Sequence, residues 1–118
     1  MAAENVVVAI RWRPLIKREI KDEPQDKTDW EWSEKTIRTK NSDKEWTYDR
    51  VFGVENGTKD VYEEIVKPIV KQAIKGYNGT VFAYGQTGSG KTFTMRGCDN
   101  NPGIIPLAIK VLVTYLTV

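Results

Sequence analysis

The chain has 118 residues, a formal net charge of +2 and 29% charged residues of mixed sign. This length allows at most one ordinary domain, or a piece of a larger one. One cysteine, Cys98, and no histidine exclude intrachain disulfides, Cys/His zinc sites and histidine-based catalysis, and they suit a reducing, intracellular setting. Without a basic face, and without an apolar run near the about 20 residues of a membrane span, we expect neither nucleic acid nor a membrane as a partner.

A strand is predicted first, and a charged segment follows it. Residues 5–10, Asn-Val-Val-Val-Ala-Ile, form a β-branched run that suits a strand buried on both faces, and Arg11-Trp12-Arg13-Pro14 closes it. Residues 17–29 are charged and contain Pro24, which favours a solvated loop. We assign no function to this loop.

A small antiparallel lobe is predicted next. Short runs separated by turn residues predict strands at 30–32, 36–39 and 44–48. Trp46, Tyr48 and Phe52 fall on one face of an extended segment. Core packing explains such a face better than a platform for stacking nucleic-acid bases, so we expect the tryptophans to be structural.

A long helix and a strand are predicted after the lobe. Thr58 is suited to cap the helix, and apolar residues recur on one face from Val61 to Ile74, as expected of a helix packed on a sheet. Pro68 removes a backbone donor inside this stripe, so we expect a kink, with Gly76 ending the helix at its C′ position. Residues 79–84, Gly-Thr-Val-Phe-Ala-Tyr, predict a buried strand whose direction relative to the preceding strand stays open.

The next segment fills the pattern G-x-x-x-x-G-K-[ST] at every fixed position. Its glycines let successive backbone N–H groups curl around phosphate oxygens, and the helix that follows adds the positive end of its dipole. Lys91 is suited to reach the β- and γ-phosphates, and the Thr92 hydroxyl is suited to be one ligand of Mg²⁺. A glycine-rich surface loop is the structural alternative, but the strand before and the helix after favour a P-loop. The predicted phosphate-binding residues are Gly85, Gln86, Thr87, Gly88, Ser89, Gly90, Lys91 and Thr92.

Two helical stretches separated by a loop are predicted at the end of the chain. A helix from Lys91 has room for about two turns before residues 97–103, a run of helix-breaking residues. A second helix includes Pro106, which suits a first helical turn. Apolar residues surround this second helix nearly completely, so it needs cover on several sides.

Several further segments carry a family resemblance together with the P-loop. They are Arg11–Leu15, Tyr48–Phe52, Val61-Tyr62, Gly76–Tyr84, Phe93–Met95 and Gly103–Pro106. Through them the chain resembles the N-terminal part of a kinesin motor domain, from about Val6 to Ile109. The residues around Glu63–Ile65 and Gly76–Gly79 are most similar to those of centromere-associated kinesins.

This resemblance implies an α/β fold of the P-loop NTPase type, with a mixed central sheet flanked by helices and a small antiparallel lobe. It implies a microtubule-dependent ATPase that uses ATP or ADP with Mg²⁺, with Lys91 and Thr92 as catalytic side chains and tubulin as the partner of the full motor domain. Arg11 and Pro14 would flank the adenine, and Phe93 would stack on its other face, because arginine planes and aromatic rings suit a flat base. The expected location is the cytoplasm and the microtubule cytoskeleton, with the spindle or kinetochore as the narrower expectation.

Two elements of the kinesin pattern do not occur in the sequence. Kinesins carry a first switch resembling N-x-x-S-S-R and a second resembling D-x-x-G, and neither string is found. We therefore expect residues 1–118 to be the N-terminal part of a motor domain that lacks both switch segments and does not by itself hydrolyse ATP at a motor's rate. Residues 111–118 are also more apolar than kinesins usually are at this place.

Two other functions stay open at this point. A small-molecule kinase or another NTPase with a P-loop would need a later apolar strand ending in Asp, which this sequence does not have. A truncated, non-catalytic nucleotide-binding or interaction module would bind a partner through the apolar C-terminal face. Step direction, cargo and oligomeric state are not encoded in these residues.

Overall fold

A computed structural model of the chain describes residues 6–17, 19 and 29–117. They fall into two compact units, unit 1 up to Glu55 and unit 2 from Asn56 onward. Of the predicted loop at 17–29, only Lys17, Glu19 and Asp29 lie within the described residues. Across these described ranges, no helix has both the length and the apolar character that a membrane span requires.

Unit 1 contains a two-stranded parallel sheet of β1 (Ala9–Arg11) and β5 (Arg50–Phe52). Asp49 fixes the start of this pair, because its carboxylate accepts a hydrogen bond from Val8 N at 2.7 Å and its own N–H donates to Val8 O at 3.1 Å. β5 carries the core of the unit, whereas β1 is only half-buried. The expectation that the first strand is buried on both faces is therefore wrong, since a β-branched run does not determine what covers it.

The predicted antiparallel lobe is confirmed. It consists of β2 (Trp30–Trp32), β3 (Thr36–Thr39) and β4 (Glu45–Thr47), in the order β2-β3-β4. The tryptophans form a cluster in which Trp12 stacks on Trp32 with ring centroids 5.0 Å apart, and Trp30 lies 5.9 Å from Trp46. Such aromatic pairs add stability beyond their buried area, which supports the structural role expected for these side chains.

The N-cap of the helix in unit 2 lies one residue earlier than predicted. Helix α1 (Thr58–Val61) has Gly57 at its N-cap, and the carboxylate of Asp60 accepts a hydrogen bond from Gly57 N at 2.8 Å. Thr58 is instead buried in the first turn. The predicted apolar stripe is confirmed in part, with Val61, Tyr62, Val66 and Val70 buried but Ala73 exposed. The expectation that it packs on a sheet is wrong, since residues 62–74 pack mainly on the helix at Ile104–Leu116.

A π-helical turn (Tyr62–Val66) separates α1 from α2 (Lys67–Ile74). It ends two residues before Pro68, whose missing N–H and bulky ring are incompatible with a regular α-helical hydrogen bond to Glu64. The irregularity expected at the proline is thus a widened turn. Gly76 has φ of +97°, as predicted for the residue that ends the helix.

The predicted strand at 79–84 is not formed, since no strand is assigned to these residues. Phe82 and Tyr84 are 80% and 98% exposed. A strand requires neighbouring backbone with which to pair, and a run of β-forming side chains does not supply it. The described residues accordingly form three small sheets, rather than the one mixed central sheet that was expected.

The chain ends in a short helix, a hairpin and a longer helix. Helix α3 (Lys91–Met95) has five residues and is shorter than predicted. The residues expected to form a loop make a tight hairpin of β6 (Gly97–Cys98) and β7 (Asn101–Pro102). Helix α4 (Ile104–Leu116) begins after Gly103 and contacts α2, α3 and the π-helical turn. A row on its surface stays exposed, formed by Ile105, Ile109, Val113 and Leu116.

Candidate nucleotide-binding site

The predicted P-loop lies in unit 2 and turns sharply before α3. Gly88 and Gly90 have φ of +83° and +100°, a backbone conformation that costs a residue with a Cβ roughly 1–2 kcal/mol. Ser89, between them, donates a backbone hydrogen bond to Gln86 O at 3.1 Å. The glycines of the motif are therefore used for the backbone conformation that a phosphate cradle requires.

Gly85 and Ser89 close the neck of this loop. A Cβ added at Gly85 would overlap the Ser89 hydroxyl and would lie 3.9 Å from Lys91 Cγ, so only glycine lets these segments approach so closely. The Ser89 hydroxyl is buried and has no hydrogen-bond partner among the described residues. An unpaired buried hydroxyl costs about 1–3 kcal/mol, and an oxygen of a bound phosphate would be a suitable partner. The loop residues thus fit a phosphate group.

The side chains with predicted chemistry follow on α3. Lys91, the first residue of the helix, is half-buried and makes no ion pair with another described residue. Thr92 is exposed, and the described part of the chain contains no group of three or more Cys, His, Asp or Glu side chains that could hold a metal ion. A Mg²⁺ ion bound here would take the Thr92 hydroxyl as one ligand, since Mg²⁺ commonly combines protein oxygens with phosphate and water.

Phe93, the predicted adenine-stacking residue, directly follows Thr92 on α3. The residue is 44% exposed, so part of its surface is open to a ligand. An aromatic ring with an open face suits a flat base.

Arg11 and Pro14, the other two predicted adenine contacts, belong to unit 1. Arg11 ends β1, and its partial burial lowers the pKa of the guanidinium below its ordinary value. Pro14 is exposed in a turn that Arg13 and Glu19 hold in place: their side chains form an ion pair at 2.6 Å, and Arg13 also donates to Pro14 O at 3.1 Å. Arg11 and Pro14 thus belong to a different unit from the residues on the P-loop.

A cavity of about 330 Å³ lies within unit 1 and not at the P-loop. The side chains of the tryptophan cluster make up most of its wall, and Trp12 Nε1 is buried there without an acceptor in the described part of the chain. We interpret this cavity as a gap in the packing of the lobe, because apolar and aromatic side chains line most of it. Its lining residues are Ile10, Arg11, Trp12, Trp30, Ile37, Trp46 and Tyr48.

The structure therefore places the predicted residues from Gly85 to Phe93 on one continuous loop and helix, and it places Arg11 and Pro14 in the other unit. Sequence reasoning missed Asp49, which anchors Val8 and so positions the strand that Arg11 ends. The sequence feature that could have singled out Asp49 is its position in the segment Tyr48–Phe52, which carries the family resemblance.

The chain is similar to known kinesins over most of its length. It is 51% identical over 107 residues to Kinesin-related protein 4 of Dictyostelium discoideum, and this match covers 90% of this chain and 6% of that protein. It is 46% identical over 110 residues to Kinesin-like protein KIN-7G of Oryza sativa subsp. japonica and 47% identical over 110 residues to Centromere-associated protein E of Homo sapiens. Both matches cover 92% of this chain, but only 12% and 4% of these relatives.

The chain thus spans a small part of the length of each of these relatives. The resemblance expected from the sequence is confirmed, including that to centromere-associated kinesins. The sequence profile of the kinesin motor domain matches residues 11–117, from the last residue of β1 past the end of α4. With the P-loop, the lobe and α4 all inside this match, the chain belongs to the kinesin motor-domain family.

Proposed function

We propose that residues 1–118 form the ATP-binding, N-terminal part of a kinesin-like microtubule motor with a P-loop NTPase fold. The observation that carries this proposal is the neck of the P-loop, where Gly85 approaches the buried and unpaired Ser89 hydroxyl between turns made by Gly88 and Gly90. A glycine-rich surface loop without a ligand has no need of this arrangement.

Each residue of the loop has a role in this proposal. Backbone N–H groups of residues 85–88 and 90 bind the phosphate oxygens, and the Lys91 ammonium neutralises charge on the β- and γ-phosphates. Thr92 would hold Mg²⁺, which supplies charge neutralisation on the phosphates when it is bound. Arg11 and Pro14 on one side and Phe93 on the other would hold the adenine of ATP or ADP.

Hydrolysis and movement belong to the complete motor domain in this proposal. Residues 1–118 contain neither of the two kinesin switch patterns, so they lack groups that position the attacking water and stabilise the transferred phosphoryl. Together with the switches, the P-loop would couple ATP hydrolysis to movement along microtubules. Tubulin would then be the partner, and the microtubule cytoskeleton, with the spindle or kinetochore as a narrower site, the location.

The proposal is tested first by the variant Lys91→Ala. Loss of a charge-assisted contact worth roughly 1.5–3 kcal/mol should weaken ATP binding about tenfold or more, measured by calorimetry. The control Lys71→Ala removes the same charge from an exposed position on α2 and should leave the affinity unchanged. Equal ATP affinity of Lys91→Ala and the unmodified chain would remove the P-loop from the proposal.

The adenine contacts are tested by Phe93→Ala with two ligands. If the ring stacks on the base, the variant should lose affinity for ATP but keep its affinity for inorganic triphosphate, which has no base. A similar loss for both ligands would show that Phe93 supports the loop by packing instead.

The dependence on the switches is tested by phosphate release. We expect purified 1–118 to show no microtubule-stimulated turnover, and a longer chain that contains both switches to show it. If microtubules stimulate turnover by the short chain and Lys91→Ala abolishes that turnover, this part of the proposal is contradicted. The proposal that the chain binds ATP would still stand.

A further inference from the structure

The side chains of β1 do little to fix the register of this strand on β5. All three residues of β1 are half-buried, so burial does not distinguish one face of the strand from the other. The residues before β1 are Val6, Val7 and Val8, which are 75%, 46% and 47% exposed. Register is strongly specified only where one face is buried, and a run of like side chains specifies it weakly. The register of β1 therefore needs another determinant.

Asp49 supplies a contact that holds the start of β1 against a fixed strand. β5 is fixed because Val51 and Phe52 are fully buried and Val51 N–H donates to Glu34 O at 2.7 Å. Asp49 directly precedes β5, and its Oδ2 accepts a hydrogen bond from Val8 N at 2.7 Å. The bond from Asp49 N to Val8 O is a backbone contact that other residues could make, whereas the bond to Oδ2 needs a side-chain acceptor. A carboxylate acceptor also makes this bond charge-assisted and stronger than a neutral one.

We propose that Asp49 is a positioning residue for nucleotide recognition, which keeps β1 in the register that presents Arg11 to the adenine base. This inference rests on the proposed function, in which Arg11 contacts the base. The observed register pairs Arg11 with Phe52, and a slip of one residue would turn Arg11 to the opposite face of the strand. Asp49 acts through the backbone of β1 and not by touching the nucleotide.

Trp12 holds the other end of β1 and limits the size of the effect. Its ring stacks on Trp32 with centroids 5.0 Å apart, and its backbone N–H donates to Phe52 O at 2.9 Å. Because this packing opposes a slip, loss of the Asp49 contact should lower the share of chains in the observed register without abolishing it. The apparent affinity for ATP falls with the fraction of chains that are competent to bind the base.

Asp49→Leu tests the proposal because leucine is similar in size and has no acceptor. We expect ATP binding to weaken about fivefold in calorimetry, the value of one ordinary hydrogen bond, and binding of inorganic triphosphate to stay unchanged. Asp49→Asn keeps a side-chain oxygen that can accept from Val8 N and should retain most of the ATP affinity. The matched control Asp43→Leu removes a carboxylate from an exposed turn of the same unit and should leave both affinities unchanged.

Val8→Pro removes the donor of the same hydrogen bond and leaves Asp49 in place. Proline is tolerated at the start of a strand, so this variant keeps the test valid if Asp49→Leu does not fold. It should show the same selective loss for ATP. Failure of both Val8→Pro and a folded Asp49→Leu to lose ATP affinity would overturn the inference.

Hydrogen exchange reads the register without any ligand. In Asp49→Leu the amides of Ile10 and Trp12 should exchange faster, whereas those of β3 should not change. Equal acceleration in β3 would mean that Asp49 supports the whole of unit 1, and it would overturn the inference. Equal loss of ATP affinity in Asp49→Asn and Asp49→Leu would also overturn it, because the charge and not the hydrogen bond would then be responsible.

Arg11→Ala separates this inference from the proposed function. It should weaken binding of ATP but not of inorganic triphosphate. If Arg11→Ala shows this loss and the Asp49 and Val8 variants do not, the positioning role is wrong while the proposed function stands. If Arg11→Ala binds ATP as the unmodified chain does, the adenine contact is wrong and the inference fails with it.

Discussion

The lobe of unit 1 and the segment 79–84 of unit 2 have similar sequence character and different structures. Both are short, aromatic and predicted to form strands, but β2, β3 and β4 pair with one another whereas 79–84 forms no strand. In the lobe, each strand is joined to its partner by a few residues, so pairing closes only short loops. The segment 79–84 lies between α2 and the P-loop, and any partner must come from far along the chain or from another molecule.

The aromatic side chains show the energetic side of this difference. In unit 1, Phe52 is fully buried and the Arg50 guanidinium lies 4.6 Å from the centre of its ring. In unit 2, Phe82 and Tyr84 remain in solvent. Burying a large apolar side chain contributes roughly 1.5–3 kcal/mol, so a strand sequence contributes to stability only where tertiary packing covers it.

The largest expected effect comes from a matched pair of phenylalanines. Phe52→Ala should lower the free energy of unfolding by about 3–5 kcal/mol, because it opens a cavity in the core of unit 1. Phe82→Ala removes the same atoms from a solvent-exposed position and should change it by less than about 0.5 kcal/mol. Urea denaturation measures both. Comparable losses would mean that 79–84 is covered in solution and would break the comparison.

Two glycine variants test whether the P-loop has its binding conformation before ATP binds, even though residues 79–84 before it form no strand. Gly90→Ala and Gly76→Ala both force a residue with a Cβ into positive φ, and each should cost roughly 1–2 kcal/mol of stability. Only Gly90→Ala should also weaken ATP binding in calorimetry, because Gly76 ends α2 outside the loop. If the affinity is unchanged in Gly90→Ala, the loop takes its binding conformation only with ligand.

The smallest expected effect concerns Tyr62, which is buried in the core of unit 2. Its hydroxyl is buried without a partner in the described residues, so Tyr62→Phe should raise the free energy of unfolding near pH 7 by about 1 kcal/mol, the low end of the cost of such a group. Burial, with a smaller contribution from the Glu63 charge, raises the pKa of Tyr62 above its ordinary value of 10.0.

This shift gives the sign of a pH effect. The folded state favours the neutral phenol, so its contribution is complete below about pH 10 and is lost as the pH rises through the raised pKa. Denaturation curves between pH 9 and about 11.5 should show a steeper fall in stability for the unmodified chain than for Tyr62→Phe. Parallel curves for the two proteins would place the Tyr62 hydroxyl in water.

Several elements of fold and site were predictable because their signals are local. The strands at 30–32 and 36–39 have the predicted bounds, and the turn residues between them were visible in the sequence. The break at Gly76 and the turns at Gly88 and Gly90 depend on the backbone freedom of glycine. The irregularity near Pro68 was expected as well, but its form, a π-helical turn, depends on which carbonyls the surrounding residues leave free.

By itself, the sequence determined that this chain is a kinesin motor-domain segment with a P-loop and a tryptophan-rich lobe, because motif spacing and turn chemistry act over a few residues. Only the tertiary structure decided that Gly85 packs on Ser89, that Asp49 anchors Val8, that residues 97–102 form a hairpin and that 79–84 forms no strand. These outcomes depend on which backbone groups find partners and which faces find cover. Both are properties of neighbours in space, which the order of residues along the chain does not specify.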